Sequence, residues 1–214
     1  MNELERLQTF TEHDLPTLDE VVLGALKFLN ESPIPHLDTT AHTRPLIIGS
    51  VNALSTGRIL FRDCDAVFAD EGTYQDVLSR IPSIDAIYIF SASGSKHAVS
   101  IARELGVDGR PVYLVTSTEN APAAAYLDAG RVFVFPHIRE PYTYNTSTYL
   151  GMLLSEGKES PEEIYTFITT HVAPVISHDL GRYDAFVLTV PPAWGLVRPM
   201  LTTKFDELFA PRVT

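Results

Sequence analysis

The chain has 214 residues, with 16 Lys and Arg against 27 Asp and Glu for a formal charge of −11, and 45% of its residues are hydrophobic. At about 150 residues per domain this length allows one well-filled domain plus an appendage, and the apolar content excludes a disordered or fibrous chain. The acidic balance and the lack of a basic stripe argue against a nucleic-acid partner, and no segment approaches the ~18 consecutive apolar residues of a membrane span.

The single cysteine, Cys64, leaves no intramolecular disulfide to form and excludes a cysteine metal cluster. A reducing, cytoplasmic setting is expected. Leu4 to Leu29 reads as one or two amphipathic helices that end before the breakers Pro33 and Pro35. This helical preface is expected to pack on the rest of the chain or on a second subunit.

Five short apolar runs follow, at Leu46 to Val51, Ala66 to Ala69, Ala86 to Ser91, Val112 to Thr116 and Val132 to Phe135. They are rich in Val, Ile, Phe and Tyr and mostly do not alternate, as strands buried on both faces require. Segments with apolar spacing near 3.6 lie between them, at Asn52 to Arg62, Gly72 to Arg80, Lys96 to Leu105 and roughly Asn120 to Asp128. Strands alternating with helices predict an α/β fold, a five-stranded parallel sheet covered on both sides as a three-layer sandwich.

Tyr144 to Glu156 and Pro161 to Ile176 also read as helices, the second opened by Ser160 as N-cap with Glu163 three residues later. Beyond them come a sixth apolar run, Ala185 to Val190, the stops Pro191 and Pro192, and a helical pattern over Leu201 to Phe209. The organisation expected is a helical segment at 1–40, the sheet domain at 41–182 and a C-terminal arm at 183–214.

In an open α/β sheet, ligands settle outside the carboxyl ends of the strands, where the strand order reverses. The first strand ends in Gly49, Ser50, Val51 and Asn52, and the third in Ser91, Ala92, Ser93, Gly94, Ser95 and Lys96. Both turns are small, polar and free of carboxylates. A turn of this kind leading into a helix presents unpaired N–H groups and the positive end of the helix dipole to an anion. Lys96 is unfavourable in the first turn of a helix unless a negative ligand compensates it. The serines also read simply as turn and N-cap residues.

Ser91-Ala92-Ser93-Gly94-Ser95-Lys96 resembles the Ser-x-Ser-Gly-Glu-Thr phosphate loop of sugar isomerase (SIS) domains. The resemblance runs from about Leu46 to Glu156. It includes the glycine turn after the first strand, a Thr-Ser-Thr segment after a later strand, and Thr146-Ser147-Thr148 opening a long helix. It implies a flavodoxin-like topology, a sugar-phosphate ligand and a homodimer. Residue by residue, it implies phosphate or sugar contacts from Ser91, Ser93, Gly94 and Ser95, from Gly49 with Ser50 or Asn52, and from Thr146 and Ser147. The sequence departs from the pattern at Ser95, where the family has glutamate, and at Lys96, where it has threonine. Those departures shift a phosphate contact from a hydroxyl to an ammonium.

The last 30 or so residues look like the first strand, loop and helix of a second SIS copy. Lys204-Phe205-Asp206-Glu207 is similar to the segment that carries a proton-shuttling glutamate in the aminotransferase branch. The alternative is an arm whose Lys204 and Glu207 lie on an ordinary charged helix face.

Aldose-ketose isomerisation through an enediol needs a base and an acid but no metal. The candidates are Glu140 and His137 after the fifth strand and Glu207 near the end, with Glu71 and His97 on other loops and His171 and His178 farther along. Tyr142, Tyr144 and Tyr149 cluster around Asn145, as aromatic and amide groups do at carbohydrate sites, or as packing at an edge. The sequence has no metal-ligand spacing and no Gly-x-Gly-x-x-Gly after the first strand, so neither a metal nor a nicotinamide cofactor is expected. A non-catalytic phosphosugar-sensing module is the rival reading. A flavodoxin-like signalling domain would need acidic residues at the end of the first strand, where Gly49 and Ser50 stand instead.

Overall fold

The computed structural model describes residues 2–141, 145–157, 159–176 and 187–209. Tyr142, Tyr144, His178, the first two residues of the Ala185 to Val190 run and the boundary expected between residues 182 and 183 lie outside them. Among the described residues, the strands β1 (Pro45–Ile48), β2 (Val67–Ala69), β3 (Ala86–Phe90), β4 (Val112–Thr116) and β5 (Val132–Val134) form one all-parallel sheet. The order is β2-β1-β3-β4-β5, the flavodoxin-like arrangement, so the direction of winding reverses between β1 and β3.

β1 and β3 are buried at every position. Their alternate side chains feed two separate cores, as the pleat requires. Leu46, Ile48, Ile87 and Ile89 pack on one face with Ala98, Ile101 and Leu105 of α5 (His97–Leu105). Ile47, Tyr88 and Phe90 pack on the other with Phe61, Phe135 and Met152. On that second face α3 (Val51–Leu60) lies directly against β1 through Gly57, where a Cβ atom would stand 2.5 Å from Ile47 Cγ2.

The crossover from β2 to β3 runs through α4 (Tyr74–Arg80). Between β4 and β5 the helical spacing over 120–128 yields only a 3₁₀ segment, Pro122–Tyr126. Pro122 stands at its start and lacks a backbone donor, which suits a short tight turn rather than a propagated α-helix.

The preface forms α1 (Glu3–Thr9) and α2 (Leu18–Asn30), each opened by a capping box. α2 buries Val21, Ala25, Leu26 and Leu29 against α6 (Thr146–Leu153) and α7 (Pro161–Phe167), so the preface packs on the sheet domain itself. Lys27 donates to Glu3 at 2.6 Å and the Tyr165 hydroxyl donates to the other Glu3 oxygen at 3.3 Å, tying α1, α2 and α7 together.

Two expectations for the C-terminal third are corrected. The helix from Pro161 is α-helical only to Phe167, then turns through one π segment (Ile168–Val172) and a 3₁₀ segment (Ala173–Val175). Thr169 and Thr170 there donate their hydroxyls back to the carbonyls of Tyr165 and Thr166, which loosens the helical ladder, and Pro174 cannot continue it. Ser160 makes no side-chain capping bond, so the expected capping box is absent.

The second correction concerns residues 187–190, the described part of the sixth apolar run, which join no sheet. They lead instead through a 3₁₀ segment (Pro192–Val197) into α8 (Arg198–Phe209), which packs on α3. No described helix is long and apolar enough to cross a membrane.

Leu26→Ala is expected to cost about 2–5 kcal/mol of stability in urea denaturation, as for a fully buried leucine; a loss below about 1 kcal/mol would separate the preface from the core. The Glu3 carboxyl is held below its ordinary range, first by the Lys27 hydrogen bond and then by its own backbone N–H. Its contribution is therefore complete above the ordinary carboxylate range and is lost as pH falls through the lowered value. Glu3→Gln should flatten that acid limb of a stability-versus-pH curve, and an unchanged limb would refute the assignment.

Candidate functional site

The reversal between β1 and β3 brings the β1–α3 turn and the β3–α5 loop side by side at the carboxyl edge of the sheet. Gly49 and Ser50 form the first turn, with Ser50 as an exposed N-cap whose side chain makes no capping bond. Asn52 lies in the first turn of α3, 5% exposed, and its Oδ1 has no hydrogen-bond partner among the described residues.

The β3–α5 loop is held from below by the end of β4. The Ala92 carbonyl accepts from the hydroxyls of Thr116, Ser117 and Thr118 at 2.9, 3.0 and 3.1 Å and from the Ser117 N–H at 3.0 Å. Gly94 turns the loop at φ +56°, with its Cα so close to Ala121 that a Cβ would stand 2.5 Å from the Ala121 Cβ. Only glycine suits both that conformation and that contact.

Ser93 and Ser95 hydroxyls lie 2.7 Å apart at the rim. Lys96 follows at φ 50° and ψ −116° as the N-cap of α5, a backbone region that non-glycine residues rarely occupy and that costs about 1–3 kcal/mol. Among the described residues the Lys96 ammonium makes no ion pair, and the backbone N–H groups of Lys96 and His97 make no backbone hydrogen bond.

These elements line a cleft of about 320 Å³, whose walls include Ser50, Ala53, Glu71, Ser91, Ser93, Ser95, Lys96, His97 and Tyr149. Glu71 is the one carboxylate among the described residues of its wall. Burial, with the nearby charge of Glu207, raises the Tyr149 hydroxyl above its ordinary pKa.

The other site residues expected from sequence are placed elsewhere. Glu140 accepts from the backbone N–H groups of Thr146 (2.6 Å) and Ser147 (2.5 Å), so its carboxylate caps α6. Asn145, before that helix, is left-handed at φ 50° and its side chain makes no capping bond, which leaves those donors to Glu140. Ser147 is fully buried, its hydroxyl 3.2 Å from the Ile138 N–H, and it does not line the cleft.

His137 is exposed and lines a separate hollow of about 590 Å³ with Phe28, Ser117, Thr118, Glu119 and Asn120. Glu207 on α8 pairs with Lys204 at 2.9 Å. Glu140, His137 and Glu207 are thus outside the serine cleft, while Glu71 and His97 are on its wall. The anchoring by Thr116, Ser117 and Thr118 was not readable as such; its sequence signal is three consecutive hydroxyl residues at a strand end. No group of three or more His, Cys, Asp or Glu suited to a metal occurs among the described residues.

No protein-family model and no curated protein matches the chain. Similar solved structures include a candidate sugar-phosphate isomerase from Listeria monocytogenes, 15% identical at a TM-score of 0.42, aligned over 67% of this chain and 82% of that one. An E. coli protein in complex with arabinose 5-phosphate is 13% identical at a TM-score of 0.49, over 71% and 88% of the two chains. A candidate phosphosugar isomerase from Bacillus subtilis is 14% identical at a TM-score of 0.37, over 68% of this chain and 46% of that one. The fold and cleft define an open α/β domain with a polar cleft at the switch point of its sheet.

Removing the Glu140 carboxylate should expose the first turn of α6. Glu140→Ala is expected to lower stability by about 0.5–2 kcal/mol, as loss of a cap does, read by thermal or urea unfolding; no loss would refute the capping role.

Proposed function

We propose that this chain binds a sugar phosphate, with the phosphate on the Ser91–Lys96 loop and the sugar extending into the cleft toward Glu71 and Tyr149. The observation that carries this reading is the set of hydrogen-bond donors on the cleft wall at the start of α5. Lys96, whose ammonium makes no ion pair among the described residues, lies there with the Ser93 and Ser95 hydroxyls, hydrogen-bonded to each other at 2.7 Å, and the N–H groups of Lys96 and His97, which make no backbone hydrogen bond. An anion there compensates a cation that the helix dipole otherwise opposes, and satisfies the donors at once. The resemblance of the loop to the SIS phosphate motif supports the same reading.

Thermal stabilisation should be measured against hexose and pentose phosphates, including arabinose 5-phosphate, the ligand of the E. coli structure. Free sugars and inorganic phosphate serve as controls. A ligand that binds only the folded state raises the melting temperature by mass action. The expected result is a shift with at least one sugar phosphate, lost in Ser93→Ala and Lys96→Ala. No shift with any of them would sink the reading.

Aldose-ketose isomerisation of that ligand through an enediol is the second reading, and Glu71 and His97 favour it because both are on the cleft wall. A carboxylate can carry the proton between adjacent carbons while an imidazole assists ring opening. With Glu140 committed to α6, these two are the groups to test. Exchange of a substrate carbon-bound proton with deuterated solvent, followed by NMR, should be present in the native chain and lost in Glu71→Gln. Binding without exchange would leave a phosphosugar-sensing domain.

A further inference from the structure

The helical segment that begins at Pro161 has an inner and an outer face. The inner one is committed to this chain, since α7 packs on α2 and the Tyr165 hydroxyl donates to Glu3. The outer one is exposed at Glu163, Phe167 and His171, with Phe167 57% exposed. Glu163 and Phe167 are one helical turn apart, and the π segment (Ile168–Val172) carries the same stripe on to His171. The Phe167 and His171 rings lie 5.6 Å apart and, with Glu162, Glu163 and Thr166, they line an open hollow of about 280 Å³. Neither Glu163 nor His171 makes an ion pair or a side-chain hydrogen bond among the described residues.

We propose that this face is a self-association surface whose partner is a second copy of this chain, packed as an antiparallel helix pair about Phe167. Complementarity is the argument for this occupant. Glu163 precedes Phe167 by four residues and His171 follows it by four, so the stripe is symmetrical about its aromatic centre. An ionised carboxylate offers only acceptors, and an imidazole offers an N–H donor in either protonation state. A two-fold contact requires that when residue i of one copy touches j of the other, j touches i in return. Antiparallel helices related by an axis at Phe167 meet that requirement, with Glu163 of each copy facing His171 of the other and the two phenyl rings together at the centre, as aromatic pairs favour. Residues 161–176 contain no Lys or Arg, so His171 is the one donor of this kind that the stripe can supply to a facing Glu163. The contact is about two turns long and smaller than a standard interface, so the dimer is weak and forms with rising concentration.

Sedimentation velocity on the full chain, across a wide range of concentration, should show a monomer–dimer equilibrium. Phe167→Ser, at an exposed position, should leave the melting temperature of the monomer unchanged and raise the dimer Kd by at least about tenfold, as loss of a central aromatic does. Glu163→His sets imidazole against imidazole across the axis, and His171→Glu sets carboxylate against carboxylate. Each variant alone should therefore dimerise more weakly than the native chain. Mixed in equal amounts they regain both contacts, so a heterodimer should form about as tightly as the native dimer, and the chain carrying both substitutions should dimerise again by itself. A monomer at every concentration would overturn the proposal and leave the face to a different partner. A dimer indifferent to Phe167→Ser, or single variants that do not recover on mixing, would overturn it by placing the contact on another face or in another register.

Discussion

The adjacency of β1 and β3 is the constraint on which the rest of this molecule depends. Both strands are buried along their full length, so their polar backbone groups must pair laterally, and they pair with each other in parallel over four residues. Parallel pairing sends both chains out of the sheet at the same edge. Because the crossovers depart in opposite directions from this pair, the two exits leave a gap between them. The N-termini of α3 and α5 therefore face one cleft, and unsatisfied helix donors collect there for a topological reason independent of any ligand.

What shapes that gap into a defined cleft is support from the neighbouring strand. A loop of small residues at a sheet edge has little packing of its own to hold it. Here one carbonyl, Ala92, takes hydrogen bonds from three consecutive hydroxyl side chains and a backbone N–H at the end of β4, and Gly94 lies tight against Ala121. These contacts over-determine the loop, which is the condition under which a residue such as Lys96 persists in a strained backbone conformation. Strain at Val51, Lys96 and Asn145 falls at the starts of α3, α5 and α6. A related device operates at α6, where Glu140 satisfies two helix donors that the left-handed Asn145 leaves open.

Much of the architecture was legible because it follows from short-range physics. Apolar runs without alternation suit strands covered on both faces, and all five are present within a few residues of their expected limits. The serine loop was legible for a similar reason, since glycine and hydroxyl residues between a strand and a helix announce a tight turn with free donors. The catalytic candidates were less legible. Glu140 and His137 lie after β5 and share its edge of the sheet with the serine loop, yet the carboxylate meets α6 and the imidazole faces a different hollow. Residue type and loop position do not say which way a side chain points.

The sheet, most of its flanking helices and the polar turn were written into local sequence, because each depends on periodicity and on the conformational preferences of neighbouring residues. Membership of the cleft was settled only by the packed chain. Glu71 joins it from the end of β2, Tyr149 from the face of α6 and the hydroxyl anchors from the end of β4, while α8 packs on α3. Those placements are set by contacts between residues tens of positions apart, whose pairing depends on packed volume and satisfied hydrogen bonds that no local pattern records.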